Sequence, residues 1–360
     1  MKNIIYFIWF LFFFMQVSCQ ENKENKNQKE KTMTKYEWTE GTSASLGYPM
    51  EVYKGGMEYE GGGWVGLSFG MIPGIHGWGS INNGMSSGFK GLPTRLDFIW
   101  MSYTENQFYQ IDTDIDTEKI RKYFREGYKI KGASGKIQHL NYDVVCVGMA
   151  PGGVVVVWIA GVGWQKEIGR YQGEKVTISE SEIAKLDSYE NRFWREDYIN
   201  MVFNNGKIIP EKVKKENEGK PIPFGIWDVY RTRFSWKPVF ELPENSILNP
   251  LTDVGMSMIN GEWEQLDGAV QPLSDYEWRA MPTKIGFVYK NLKGELFGGN
   301  CEINEKSSLE IFQKVFGDDP TSTKAELVIK VNEANSYFTV KLKGENGKEA
   351  FIKTDNLEVF

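Results

Sequence analysis

Histidine and cysteine are scarce in this chain of 360 residues: two histidines, His76 and His139, and three cysteines, Cys19, Cys146 and Cys301. A metal centre built on imidazoles would need both histidines to converge, and no HxH, HExxH or CxxC spacing occurs. A Ser-His-Asp site would likewise have to recruit His76 or His139. No Gly-Lys-Ser or Gly-Lys-Thr closes a phosphate loop. The series Asp112-x-Asp114-x-Asp116 lacks the turn glycine and closing glutamate of a calcium loop, so these acids are expected at a helix N-terminus. No cofactor or metal is expected. Paired carboxylates for glycoside cleavage are not singled out by any motif, although 48 acidic residues make such pairs common.

Long apolar runs are also missing. The one pronounced run, Ile4 to Met15, follows Lys2 and is too short to span a bilayer comfortably, so it reads as a signal peptide. Gln16-Val17-Ser18 then precede Cys19, which is expected to carry a lipid once residues 1–18 are removed. Lys2 leaves with that segment, so 42 basic residues become 41 against 48 acidic ones, a net charge of −7. Such a balance argues against a nucleic-acid partner. Residues 19–35 are polar, with five lysines and three glutamates after Cys19, and read as a solvated tether.

The remaining 325 residues exceed the usual size of one domain. Residues 36–242 are expected to form a first α+β domain, 243–255 a linker with Pro243 and Pro250, and 256–360 a smaller second domain. Two stretches carry the same pattern. Leu92-Pro93-Thr94-Arg95-Leu96-Asp97-Phe98 aligns with Met281-Pro282-Thr283-Lys284-Ile285-Gly286-Phe287 at an offset of 189, as does Ile120 with Leu309. Farther on, Val144 and Cys146 match Leu327 and Ile329 at an offset of 183. Each copy reads strand, strand, helix, strand, strand, which gives two lobes of mostly antiparallel sheet with one packed helix each and suggests an internal duplication. The helices are expected over 116–127 and 307–317, the second opened by a capping box of Ser307 and Glu310. A longer helix is expected over Ser181–Phe203, followed by an exposed loop from Asn204 to Pro223. Cys146, inside an apolar strand pattern, reads as a core residue rather than half of a disulfide with Cys301.

The segments PTRLDFIWMSY, REGY, YDVVCVGMAPGGVVVVWIAG and IWDVYRTRFSW resemble a bacterial family labelled domain of unknown function 2931. The resemblance covers roughly residues 45–240 and implies a secreted or lipid-anchored protein, in agreement with Cys19. It brings no catalytic residues.

From Gly55 to Gly91 there are thirteen glycines, interleaved with aromatics. Such a loop either brings backbone close to a partner or folds into tight hairpins whose aromatics pack on the sheet. Trp64, His76, Trp78, Phe89 and, farther on, Trp164 are the candidate binding residues. The expected function is a non-enzymatic binding module anchored through Cys19 to the envelope of a Gram-negative bacterium, with the outer membrane the expected location. One specific form is an immunity-type inhibitor of an envelope-acting toxin. A carbohydrate-binding lipoprotein is the alternative, and an unrecognised hydrolase the third.

Overall fold

The computed structural model describes residues 34–360 apart from Asn83, 132–135, Asn245, 248–252 and 268–272. The expected signal segment, Cys19 and nearly all of the tether lie outside the described residues. The first half contains β1 (Tyr36–Glu37), β2 (Thr39–Ala44), β3 (Met50–Tyr59), β4 (Gly63–Gly66), β5 (Met71–Ile72), β6 (Phe89–Lys90), β7 (Pro93–Ser102) and β8 (Gln107–Asp114). Helix α1 (Thr117–Glu126) follows, then β9 (Tyr128–Lys131), β10 (Ile137–Leu140), β11 (Val144–Ala150), β12 (Val154–Gly161), β13 (Trp164–Gln172) and β14 (Glu174–Val176). A helical stretch comes next: α2 (Glu180–Ile183), a 3-10 turn (Glu190–Trp194), α3 (Glu196–Asn204), α4 (Glu211–Asn217) and α5 (Ile226–Val229). The second half holds β15 (Phe234–Glu241), β16 (Ser246–Ile247), β17 (Asp253–Met258), β18 (Trp263–Asp267), β19 (Glu277–Arg279), β20 (Pro282–Asn291) and β21 (Leu296–Ile303). It ends with α6 (Glu305–Phe316), β22 (Ala325–Val331), β23 (Phe338–Gly344), β24 (Glu349–Ile352) and β25 (Thr354–Val359).

The fold is α+β, with mostly antiparallel sheets. In the first half β2-β11-β12-β13 pair in that order, as do β4-β3-β7-β8-β14. In the second half β15-β22-β23-β24 and β18-β17-β20-β21-β25 pair in the same two orders. The parallel pairings agree as well: β2 with β11, and β15 with β22. Registers also correspond, Met57 standing opposite Leu96 as Met256 stands opposite Ile285. Both halves contain a buried tryptophan whose indole N–H donates to a carbonyl, Trp38 to Gly91 (3.0 Å) and Trp236 to Ala280 (3.2 Å). In each case a buried cation, Lys90 or Arg279, lies over that indole and donates to the tryptophan's own carbonyl.

The strand sequences show which faces are covered. Strand β12 is apolar throughout and buried on both faces. Val155, Val157 and Ile159 meet the main core, while Val156 and Trp158 pack with Trp227 of α5 and with Trp78. Its counterpart β23 alternates Phe338, Val340 and Leu342 inward with Thr339, Lys341 and Lys343 outward, and its outer face carries ion pairs such as Lys341–Glu349. The outer face of β7 and β8, with Ile99, Met101 and Phe108, is covered by the helical stretch through Phe193, Val202 and Ile209. A buried ionic latch holds that cover in place. Glu51 accepts from Arg192 at 2.6 and 2.8 Å, and from the hydroxyls of Tyr103 (2.6 Å) and Tyr198 (3.1 Å).

Several sequence expectations change. Residues Tyr36–Phe360 form one compact unit. Strand β15, before residues 243–255, pairs with β22, after them, and β13 pairs with β18 across the halves. The 181–203 helix is interrupted because the Asp187 carboxylate accepts from the amides of Tyr189 and Glu190, offering the backbone a turn instead. The 204–223 loop contains α4. Helix α6 is capped by Asn304, which accepts from Ser307 N, rather than by Ser307. This cap aligns with Asp116, which accepts from Lys119 N at the start of α1. The offset across the helices is therefore 188, so Ser308 occupies the buried place of Ile120 and Leu309 is only partly buried. Asp112 and Asp114 pair with Arg95 instead of joining Asp116 at the helix start. Cys146 and Cys301 are free, buried thiols whose ionisation burial pushes up, in Cys301 to about 12.

Candidate functional site

The glycine-rich loop between β4 and β7 is tied down along most of its length. Met71 and Ile72 pair with β3, and Gly74, at φ +65°, rests on the carbonyls of Ala44 and Ser45. Trp78 meets Trp158 edge-on at 4.9 Å. Gly148 leaves room for both indoles, since a Cβ there would lie 2.3 Å from Trp158. Asn82 then bridges Thr42, so the loop shields the outer edge of β2.

Beyond Asn82 the loop is held by one buried carboxylate. Glu40, 2% exposed, accepts from the amides of Met85 (3.2 Å) and Ser86 (2.9 Å) and from the Ser86 hydroxyl. Lys90 closes the arrangement: its Nζ donates to Trp38 O (2.7 Å), Ser86 O (3.1 Å) and Ser86 Oγ (3.1 Å). Burial lowers the ionisation of Lys90, and the charge of Glu40 opposes that shift. On this held backbone Ile81, Met85 and Phe89 are 40%, 81% and 68% exposed. Isolated exposed apolar residues are ordinary; three within nine residues on a tethered backbone form a candidate contact surface.

The same segment contains motif-like strings. Gly66–Gly70 and Gly84–Gly88 both read Gly-x-Ser-x-Gly, and Gly61-x-Gly63-x-x-Gly66 has dinucleotide-loop spacing. None leads from a strand into a helix, the context that gives such strings their chemistry. Ser86 lies beside Lys90 as in a Ser-Lys dyad, but all three ammonium donors are engaged and the hydroxyl is bonded to Glu40. In the second half Arg279, which cannot serve as a base, makes the same contact with its tryptophan carbonyl. The arrangement is built to hold a turn.

The other candidate residues scatter. Trp64 is exposed on β4 and His76 is exposed in the loop, whereas Trp78 is partly buried. Trp164 is buried at the junction of β13 and β18, 6.0 Å from Tyr128. Of the five, only Phe89 belongs to the held strip. Sequence reasoning missed Ile81, Met85 and Glu40. The available signal was a lone acid in the strand Thr39–Ala44, whose other residues are small or neutral. Elsewhere a cleft of about 670 Å³ opens between α4 and the β2–β3 turn, with Phe203 and Ile209 beside Lys215 and Lys220. Among the described residues no group of three or more His, Cys, Asp or Glu side chains is placed to hold a metal ion.

Fold and surface together define an α+β protein with exposed Ile81, Met85 and Phe89 on a hydrogen-bonded loop. The chain belongs to the family described as protein of unknown function (DUF2931), whose profile matches residues 21–225. The match ends before β15, so the second half lies outside it. No curated protein and no solved structure matches the chain.

Proposed function

We propose that this chain is a non-enzymatic binding protein of a Gram-negative envelope, lipid-anchored at Cys19, with Ile81, Met85 and Phe89 as the centre of its partner surface. The observation that carries the reading is Glu40, a buried carboxylate committed to holding backbone that exposes large apolar side chains. A protein partner fits this strip better than a sugar, because Ile81 and Met85 offer no stacking plane. Occlusion of an envelope-acting toxin is the specific form proposed. The common pairing order of the two halves supports descent from one duplicated unit.

Met85→Asp and Phe89→Asp are each expected to weaken capture of the cognate partner by about 2 kcal/mol or more, while the melting temperature stays nearly unchanged. The check is a pull-down from envelope extract with the soluble protein, then titration of both variants against the retained species. Equal binding by wild type and variants removes the strip from the interface. Trp78→Ala is expected to behave differently: loss of its contact with Trp158 lowers stability.

The anchor has its own test. Metabolic labelling with a palmitate analogue should mark the wild type and not Cys19→Ala. Equal labelling of the two proteins rules out attachment at Cys19.

A further inference from the structure

We infer that two copies of this chain associate through β4, each laying its Gly63–Gly66 edge antiparallel against the other's. The inference concerns a different surface from the apolar strip and does not depend on it.

Among the described residues, strand β4 ends its sheet, paired on one side with β3 and with no strand on the other. Terminal strands normally carry charges that deter edge-to-edge pairing. Other terminal strands of the larger sheets follow that rule: β14 has Glu174 and Lys175, β19 Glu277, β24 Glu349, and β25 Asp355 and Glu358, while the edge of β2 is covered by Asn82. Strand β4 reads Gly-Trp-Val-Gly and has none. Gly62 and Gly66 border open space, since a Cβ at either would meet no heavy atom within 4 Å. The edge is thus uncharged, and the sheet face beside it is open at Gly66.

The second half shows what such an edge accepts. Val65 faces Met57 and Trp64 faces Glu58, just as Glu264 faces Met256 and Trp263 faces Ser257, so β4 and β18 are equivalent strands. The edge of β18 is occupied by β13, antiparallel, with Trp164 opposite Glu264 and Gln165 opposite Trp263. Gln265 N donates to Gly163 O at 2.8 Å in the same joint. In the first half no strand among the described residues fills that position on β4.

A second β4 fits it. With the two-fold axis perpendicular to the sheet, facing residues must point to the same side, so Val65 meets its own copy and Trp64 lies across Gly66. The open space at Gly66 then takes the half-exposed Trp64 ring, an aromatic covering a strand glycine. No like charges are opposed, and two sheets become one.

The test is sedimentation equilibrium on residues 20–360, which retain every described residue, over a wide concentration series. The wild type should move from the mass of one chain to that of two. Gly66→Lys places a charge where Trp64 of the other copy would lie, in space that is open in the single chain. It should remain at one chain with an unchanged melting temperature. If it fails to fold, Trp64→Ala serves instead and should shift the transition to higher concentration. Amides of residues 63–66 should gain hydrogen-exchange protection as the wild type dimerises. The inference is overturned by a wild type that stays at one chain throughout, by a folded variant that dimerises equally well, or by dimerisation without protection at 63–66.

Discussion

Glu264→Ala is expected to destabilise the protein by about 3–5 kcal/mol, because it removes the carboxylate that two cations share in a buried ionic junction and leaves Arg279 with only the partly exposed Glu277 as a charged partner. The Glu264 side chain is 3% exposed and its carboxylate is shared by Lys166, from β13 of the first half, and Arg279, from β19 of the second. Arg279 is 4% exposed and lies 2.7 Å from Glu264, so no solvent stands ready to replace the lost charge. Beside it, Glu262 accepts from Arg233 at 2.7 Å and from the amide of Glu167 at 3.0 Å. Burial alone would raise both carboxyls, but Lys166 and Arg279 hold Glu264, and chiefly Arg233 holds Glu262, below the ordinary value of 4.5.

The sign of the pH dependence follows. A carboxyl whose native pKa is lowered binds fewer protons folded than unfolded, so its contribution is full above the ordinary glutamate value and is lost as pH falls through the native one. Denaturant titrations should therefore show wild-type stability falling on acidification below about pH 4.5, and a shallower fall in Glu264→Ala. A loss under about 1 kcal/mol at neutral pH would place the junction among ordinary surface ion pairs.

The sequence shows this junction poorly, for a reason that also limits the rest. Patterns survive where spacing is constant: the Pro-Thr start, the alternation through Phe98 and Phe287, and the paired strands at offset 183 are visible by eye. Before Pro93 the first half carries ten more residues than the second, so the offset becomes 199 and the frame is lost. Gly62-x-Trp64-x-x-Leu67 and Gly261-x-Trp263-x-x-Leu266 correspond in structure yet escaped alignment. The strand offset of 189 does not carry into the helices, whose caps Asp116 and Asn304 set an offset of 188. At the candidate site, an aromatic is readable but its burial is not: Trp78, Trp164 and Phe89 look alike in sequence and differ only in what packs against them. The role of Glu40 rests on partners 45 and 46 positions away, beyond any local pattern.

Phe98→Ala and Phe287→Ala are each expected to cost about 3–5 kcal/mol, since both rings are buried and neither site can collapse without moving sheet. They occupy equivalent places on β7 and β20, one in each half. Phe98 leans on Trp100 at 5.1 Å. Phe287 is closed in by Phe240 and Phe338, both at 5.2 Å, and by Tyr289 at 6.2 Å. Those rigid rings leave the larger residual cavity, so Phe287→Ala should fall at the upper end of the range. The pair also tests how the halves are coupled. Independent domains would unfold separately, each variant lowering its own transition and leaving the other in place. Tyr36–Phe360 instead forms one compact unit, with β15 bound to β22 and β13 bound to β18. Both substitutions should therefore lower a single shared transition, followed by calorimetry, with the calorimetric and van't Hoff enthalpies in agreement. Two resolved transitions, one displaced by each substitution, would show that the joint does not couple the halves and that the Lys166–Glu264–Arg279 junction contributes less than its burial implies.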